Sequence, residues 1–427
     1  MIQEIRIKNF LSFKDEMTFS FEATRDKFAE DYQVVKMPDG TRLLRFAMVY
    51  GANASGKSNL LCIFDFLRSF WLHATENLTE TTHSIPFMFD TESPNSPSHL
   101  ELFFYVEGLR YWYQLDLDTE NVISEKLSYY KSTQPTMLFQ REMKDGKSVI
   151  SYGVPFKLNN AEKDKIAVEC LKNMSFFAAR NRSNVSLPEI DKAIRCMKEQ
   201  FAPLISPTSA ITKKAEQDVY QDTDLKTYLI RFFQNPAFNI TNIFTEKAEN
   251  RIPNSYIEAL NISDAAKRQL IENNKNYDTK FEHIVTNERG VERYLLPLRL
   301  ESYGTQRIFG LATAIYHAQK GNQFMPIDEI ESSLHPKFLE TLIFEYLKNQ
   351  SQSQIIVTIH DDSLMDLVNN LVRKDSIWFT EKKESGTTDL YRLTDFRGLS
   401  RITSIRSAYR LGRFGATMKK QTHEEAI

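Results

Sequence analysis

The chain has 427 residues, a length that at roughly 150 residues per domain fits two to three domains. Lys plus Arg number 54 and Asp plus Glu 56, giving a net charge of -2. That balance excludes a histone-like protein that binds by wholesale phosphate neutralisation, although not a local basic groove. A hydrophobic fraction of 41 %, with 14 Gly and 14 Pro, allows a buried core and excludes a low-complexity chain.

Cys62, Cys170 and Cys196 stand in no CxxC pair and near no pair of histidines, which argues against a disulfide framework or a structural zinc site. No apolar run is long enough to span a membrane, and Met1-Ile2-Gln3-Glu4-Ile5-Arg6 opens a strand instead of a signal peptide. A soluble, cytoplasmic protein is expected.

In chain order, residues 1–21 alternate apolar and polar around Lys14-Asp15-Glu16, which predicts two short strands joined by a turn. Leu43–Tyr50 is a continuous apolar run ending at Gly51, as in a strand buried on both faces. Leu60, Leu61, Phe64 and Leu67 then recur at helical spacing, predicting a helix from Lys57 to about Arg68. Antiparallel strands are expected from Leu100 to about Ser151, with a hairpin at Glu107-Gly108 and a turn at Asp145-Gly146. Residues 161–290 read as a solvated helical insert with 19 basic and 18 acidic residues and almost no strand signal. From Tyr294 to about residue 395, helices and apolar strands take turns, which predicts a parallel sheet.

Gly51-Ala52-Asn53-Ala54-Ser55-Gly56-Lys57-Ser58 matches G-x-x-x-x-G-K-[ST] at every fixed position, between a buried strand and an amphipathic helix. Backbone N–H groups of such a loop wrap a β-phosphate, Lys57 reaches the β/γ oxygens and Ser58 ligates Mg2+. Phe324-Met325-Pro326-Ile327-Asp328-Glu329 is an apolar strand ending in two carboxylates. Asp328 is the candidate to orient Mg2+, and Glu329 the candidate to polarise an attacking water. Pro326 is out of place in a central strand, because it removes a ladder donor.

Ser302-Tyr303-Gly304 opens an apolar helix and offers a hydroxyl and a positive dipole end to a γ-phosphate, although a simple helix cap reads the same way. His360 ends the buried run Gln354–Ile359, where it can donate to a γ-phosphate and hold water. Phe396 to Lys420 carries seven basic residues and no acidic one. That run is either a dock for nucleic acid or an acidic partner, or a solvated terminal helix paired internally.

These motifs together, with Ser332-Ser333-Leu334-His335-Pro336 and the opening Ile5–Phe13, resemble an ABC-type ATPase head of the kind in SMC, RecF and OLD proteins. More narrowly, the chain is similar to bacterial AAA15/AAA21 ATPases of abortive-infection type, RloA-like and AbiL-like, through Pro86-Phe87, Ser302–Arg307, Ile327–Glu331, Asp375–Lys382 and Tyr409–Gly415.

The resemblance implies an α/β P-loop NTPase head with an antiparallel β subdomain and a helical insert. Its parts would be residues 1–160, the first half of the head; 161–290, the insert; 291–395, the second half; and 396–427, a basic segment. It implies ATP and Mg2+ as ligands, with Asn53, Ala54, Ser55, Gly56, Lys57, Ser58 and Asn59 holding ATP and Ser58 and Asp328 holding the metal. Lys57, Glu329 and His360 would be catalytic, and Ser302 and Gly304 would act in trans in a homodimer that sandwiches two ATP molecules. His335 and Asp361 would lie near that seam or serve structure alone.

The implied role is an antiphage sensor working with a separately encoded nuclease or toxin and without a membrane partner. A RecF-like DNA-repair ATPase is the alternative, with nucleic acid as its ligand, and a transport ATPase subunit is a third, less favoured one.

Overall fold

Five consecutive buried residues, Phe46–Tyr50, lead into a glycine loop and form the middle of the structure's main parallel sheet. The computed structural model describes residues 1–234, 238–250 and 252–417 and divides into two compact units. One comprises Met1–Ser206, Gly321–Ile330 and the chain from Leu347 onward; the other comprises Pro207–Lys320 and Glu331–Tyr346.

The first unit opens with β1 (Ile2–Lys8) and β2 (Met17–Ser20), then α1 (Glu30–Gln33) and the pair β3 (Val34–Lys36) and β4 (Arg42–Leu44). β5 (Phe46–Tyr50) follows and feeds α2 (Lys57–Leu72). The apolar run from Leu43 is thus two strands, because Arg45 turns inward. Its buried guanidinium donates to Tyr32 O at 2.9 Å and Ser351 Oγ at 2.7 Å.

β6 (Ser98–Val106), β7 (Leu109–Leu117), β8 (Val122–Tyr130), β9 (Thr136–Lys144) and β10 (Lys147–Tyr152) continue an antiparallel sheet of order β10-β9-β8-β7-β6-β1-β2. α3 (Asn160–Glu169), α4 (Phe176–Arg180) and α5 (Pro188–Gln200) complete this stretch. The apolar face of α2 is buried through Leu60, Leu61, Phe64, Leu67 and Trp71. Trp71 stacks on Phe177 at 3.6 Å and meets Tyr113 edge-on at 4.8 Å, so its truncation would cost about 3–5 kcal/mol.

The second unit corrects the expectation of a purely helical insert. It holds α6 (Ile211–Gln221) and α7 (Thr223–Phe233), then β11 (Ile240–Ala248), α8 (Asn254–Glu258), α9 (Asp264–Asn274), β12 (Asn276–Asn287) and β13 (Gly290–Pro297). β11, β12 and β13 form a three-stranded antiparallel sheet. Asn, Thr, Glu and Lys fill the half-exposed positions of β11 and β12, with Ile240, Ile243 and Phe281 among the few buried apolar residues, so no clean alternation marks them. Residues 161–206, read from the sequence as part of the insert, belong instead to the first unit. α10 (Tyr303–Lys320) lies against α6, where a Cβ on Gly310 would fall 2.6 Å from Ile211, and His317 bonds Asp218 at 3.1 Å. α11 (Pro336–Lys348) follows.

Back in the first unit, β14 (Phe324–Ile327), β15 (Gln354–Ile359), β16 (Ile377–Lys382) and β17 (Thr388–Arg392) join β5 in the order β14-β15-β5-β16-β17. The first four of that order run parallel and β17 pairs antiparallel. Pro326 is explained by this order. β14 ends the sheet, and the Pro326 carbonyl accepts from Ile205 N at 3.0 Å, so the missing N–H faces the 201–205 segment and costs no bond to β15. The helix α12 (Ile405–Arg410) closes the described chain.

Candidate nucleotide site

In a parallel sheet, ligands gather beyond the carboxyl ends of the strands. Here β5 leads directly into Gly51, β14 into Asp328 and β15 into His360, and β15 lies between the other two. Strand order thus brings together residues up to 309 positions apart in sequence, counted from Gly51 to His360.

The loop between β5 and α2 curls tightly, with Ala54 at φ 60° and Gly56 at φ 105°. A Cβ on Gly51 would lie 2.5 Å from the Thr380 carbonyl, and one on Gly56 would lie 2.4 Å from Thr388 Oγ1, so both positions require glycine. Around the loop, Ser55 Oγ pairs with Thr380 Oγ1 at 2.7 Å and Asn59 Nδ2 donates to Ser12 Oγ at 2.8 Å. Thr388 Oγ1 donates to Ser55 O at 2.9 Å. Ser12, Thr380 and Thr388 were invisible to the motif because each comes from a distant strand or turn. Ser12 and Thr380 fall in stretches, Ile5–Phe13 and Asp375–Lys382, that the family resemblance had singled out, whereas Thr388 does not.

Lys57 is buried, and its ammonium donates to the carbonyls of Gly51 at 2.8 Å and Ala52 at 3.1 Å. It also lies 3.2 Å from His360 Nδ1, while His360 Nε2 lies 3.2 Å from Glu329 Oε1. The bond from the Lys57 ammonium makes Nδ1 the acceptor, so Nε2 carries the proton shared with Glu329. Ser58 Oγ donates to Asp328 Oδ1 at 3.0 Å, and Thr358 Oγ1 donates to the same oxygen at 2.5 Å. Thr358 also accepts from Glu329 N at 2.8 Å, holding Glu329 at φ 46°. A glutamate in this left-handed region is strained, a feature found at functional sites. Burial and the nearby Asp328 charge push the Cys62 thiol up, which leaves it a poor nucleophile.

A cavity of ≈ 890 Å³ spans Asn53 through Asn59 and is lined further by Glu329 and His360. Its loop N–H groups, Lys57 and Ser58, together with Asp328 bonded to Ser58, match the chemistry of a nucleoside triphosphate with Mg2+. Among the described residues no cluster of three or more His, Cys, Asp or Glu forms a separate metal site. No described helix is long and apolar enough to cross a membrane.

The other predicted residues fall elsewhere. In the second unit, Ser302 is exposed and its Oγ accepts from Thr305 N at 3.1 Å, capping α10. A Cβ on Gly304 would meet the Ser333 carbonyl at 2.8 Å. His335 Nδ1 accepts from Lys337 N at 3.2 Å at the start of α11, and Asp361 caps a short turn through Ser363 N at 2.7 Å.

Two arginines of the basic C-terminal run are paired internally. Arg406 bonds Asp362 at 2.8 Å and Asp366 at 2.6 Å, and Arg410 bonds Asp362 at 2.5 Å. Lys419 and Lys420 lie outside the described residues.

A phosphate loop at the end of a parallel strand, with acidic and histidine partners on its neighbours, defines a P-loop nucleotide-binding ATPase. More narrowly, the family described as AAA domain, putative AbiEii toxin, Type IV TA system matches residues 46–152 and 155–366, and the chain belongs to that family. Among solved structures, the SMC head domain from Thermotoga maritima is 14 % identical, with 92 % of this chain and 98 % of that chain covered and a TM-score of 0.42. An SmcHead bound to the C-winged helix domain of ScpA is also 14 % identical, with coverages of 92 % and 99 % and a TM-score of 0.42. No curated protein matches the chain.

Proposed function

We propose that this chain binds and hydrolyses ATP and acts as a regulator in bacterial antiphage defence, working with a separately encoded nuclease or toxin in the cytoplasm. The observation that carries the enzymatic part is the chain of contacts Lys57–His360–Glu329 in one cavity, with Ser58 on its wall bonded to Asp328. The family description, which names a toxin–antitoxin system, supports the defence setting.

The loop N–H groups and Lys57 hold the phosphates, and Ser58 with Asp328 hold Mg2+, which when bound offsets charge on the phosphate oxygens. Glu329 orients a water and takes its proton, while His360 Nε2–H either fixes that carboxylate, as here, or turns its one proton to the γ-phosphate once ATP is bound.

One chain supplies one phosphate loop and one Ser-x-Gly segment that opens a helix, so two complete sites need two chains. Exposed Ser302 and Tyr303 are free to meet a second copy.

The RecF-like reading drew on the basic run, and the pairing of Arg406 and Arg410 with Asp362 takes two of its arginines out of that surface. The test is the light-scattering mass of Glu329→Gln with and without ATP and Mg2+, alongside phosphate release by the unmodified chain. A doubled mass with ATP and loss of turnover in the variant are expected. A mass indifferent to ATP overturns the sandwich, and absence of turnover in the unmodified chain overturns the ATPase.

A further inference from the structure

The cavity at the phosphate loop does not end where the loop does. It continues along Leu11, Ser12, Ile85, Pro86, Met88, Phe89 and Lys382, all within the first unit. Three of these apolar side chains are strongly exposed: Ile85 at 51 %, Met88 at 59 % and Phe89 at 68 %. Neighbouring apolar side chains held in water beside a charged loop call for an explanation.

Their backbone is fixed in place. Phe87, between them, is buried at 1 % exposure, and its N–H donates to Asn9 Oδ1 at 3.1 Å. Leu11 N donates to Ile85 O at 2.7 Å, and Leu11 itself sits at φ 52°. A branched aliphatic residue in the left-handed region is strained, and the strain sets Leu11 against the cavity.

Phe89 rests on the β16–β17 turn, since a Cβ on Gly386 would fall 2.7 Å from its ring. Lys382 Nζ stands 5.4 Å from the ring centroid. The segment therefore presents side chains whose positions are set before any ligand arrives, which lowers the ordering cost of binding.

We propose that Ile85, Met88 and Phe89, with Leu11, form the platform on which the nucleobase stacks. The loop takes the phosphates at one end of the cavity and the ring face of Phe89 takes the base at the other. The occupant is fixed by continuity: a flat, π-faced group tethered to a polyphosphate already seated at Lys57. This inference rests on the nucleotide reading and assigns its second half. Recognition through the ring face contributes affinity whatever the base edge displays.

The experiment compares ATP with inorganic tripolyphosphate, each with Mg2+, on the full chain, its Phe89→Ala variant and its Phe89→Trp variant, by calorimetry. Base stacking on an aromatic side chain predicts that Phe89→Ala weakens ATP about tenfold and leaves tripolyphosphate unchanged. Phe89→Trp should retain ATP, and its fluorescence should change with ATP but not with tripolyphosphate. Unchanged ATP affinity in Phe89→Ala, or equal weakening of both ligands, overturns the platform while leaving the phosphate loop assigned. An unmodified chain that binds neither ligand overturns the nucleotide reading itself, and the platform with it.

Discussion

Ser58 Oγ and Asp328 Oδ1 are joined by a 3.0 Å hydrogen bond across 270 residues of sequence, tying the first turn of α2 to the end of β14. Both oxygens are hard donors suited to a small divalent cation. Ser58→Ala and Asp328→Asn should each weaken ATP binding in Mg2+ more than tenfold and change binding in EDTA far less. Because the two share one ligand and one bond, the double variant should be little worse than either single one. Nucleotide titrations with and without Mg2+ decide it, and fully additive losses would separate the two residues.

Gly56 is the loop position least able to change. Its φ of 105° disfavours any side chain, and an added Cβ would meet Thr388 at 2.4 Å. Gly56→Ala should abolish measurable ATP binding while circular dichroism stays native, since the clash is confined to the side chains of Thr388 and Ser12 beside the loop. Trimming the neighbour in Gly56→Ala/Thr388→Ala removes the closest contacts and leaves the backbone strain and Ser12 Oγ at 2.9 Å, so recovery should be partial. Full recovery would show that contact alone had set the requirement.

A pH effect on stability arises away from the cavity. On the large sheet, His99 hydrogen-bonds Asp116 at 2.6 Å and Glu101 at 3.2 Å, and these partners hold its pKa up to about 9. A histidine whose folded value lies above its ordinary 6.5 contributes stability that is complete below about pH 6.5 and disappears as the pH rises through about 9. The unmodified chain should therefore lose a few degrees more in Tm between pH 6.5 and 9.5 than His99→Gln, which keeps a hydrogen bond and no charge. Parallel thermal melts would refute this if the two slopes coincide.

The parallel sheet and its loop were legible because local and global signals agree there: Phe46–Tyr50 is uniformly apolar, and the glycines, Lys57 and Ser58 stand at fixed spacing. The strands β11 and β12 were not legible, since a small half-exposed sheet needs few apolar residues and tolerates Asn, Glu and Lys elsewhere. Pro326 looked anomalous only because strand order, which puts β14 at the end of its sheet, cannot be read from one sequence. The Ser12, Thr380 and Thr388 brace is long-range for the same reason. For Arg406 and Arg410 the sequence left a dock and internal pairing both open, because their partner Asp362 lies 44 and 48 residues upstream.

Those arginines instead grip the segment that follows His360. Arg406 reaches Asp362 and Asp366, Arg410 reaches Asp362, and between them Tyr409 is buried against Phe379 with ring centroids 5.7 Å apart. His360 stands two residues from Asp362 and touches both Lys57 and Glu329, so slack in the grip reaches the reacting groups before it reaches the phosphate loop. Arg406→Ala/Arg410→Ala should lower kcat several-fold with KM nearly unchanged, because the ATP-holding residues are untouched. Arg410 is largely exposed, so salt screens its pair, and the kcat of the unmodified chain should fall towards that of the variant as ionic strength rises. Steady-state kinetics at low and high salt test both statements. A change in KM alone, or identical salt curves for the two chains, would remove α12 from any part in positioning His360.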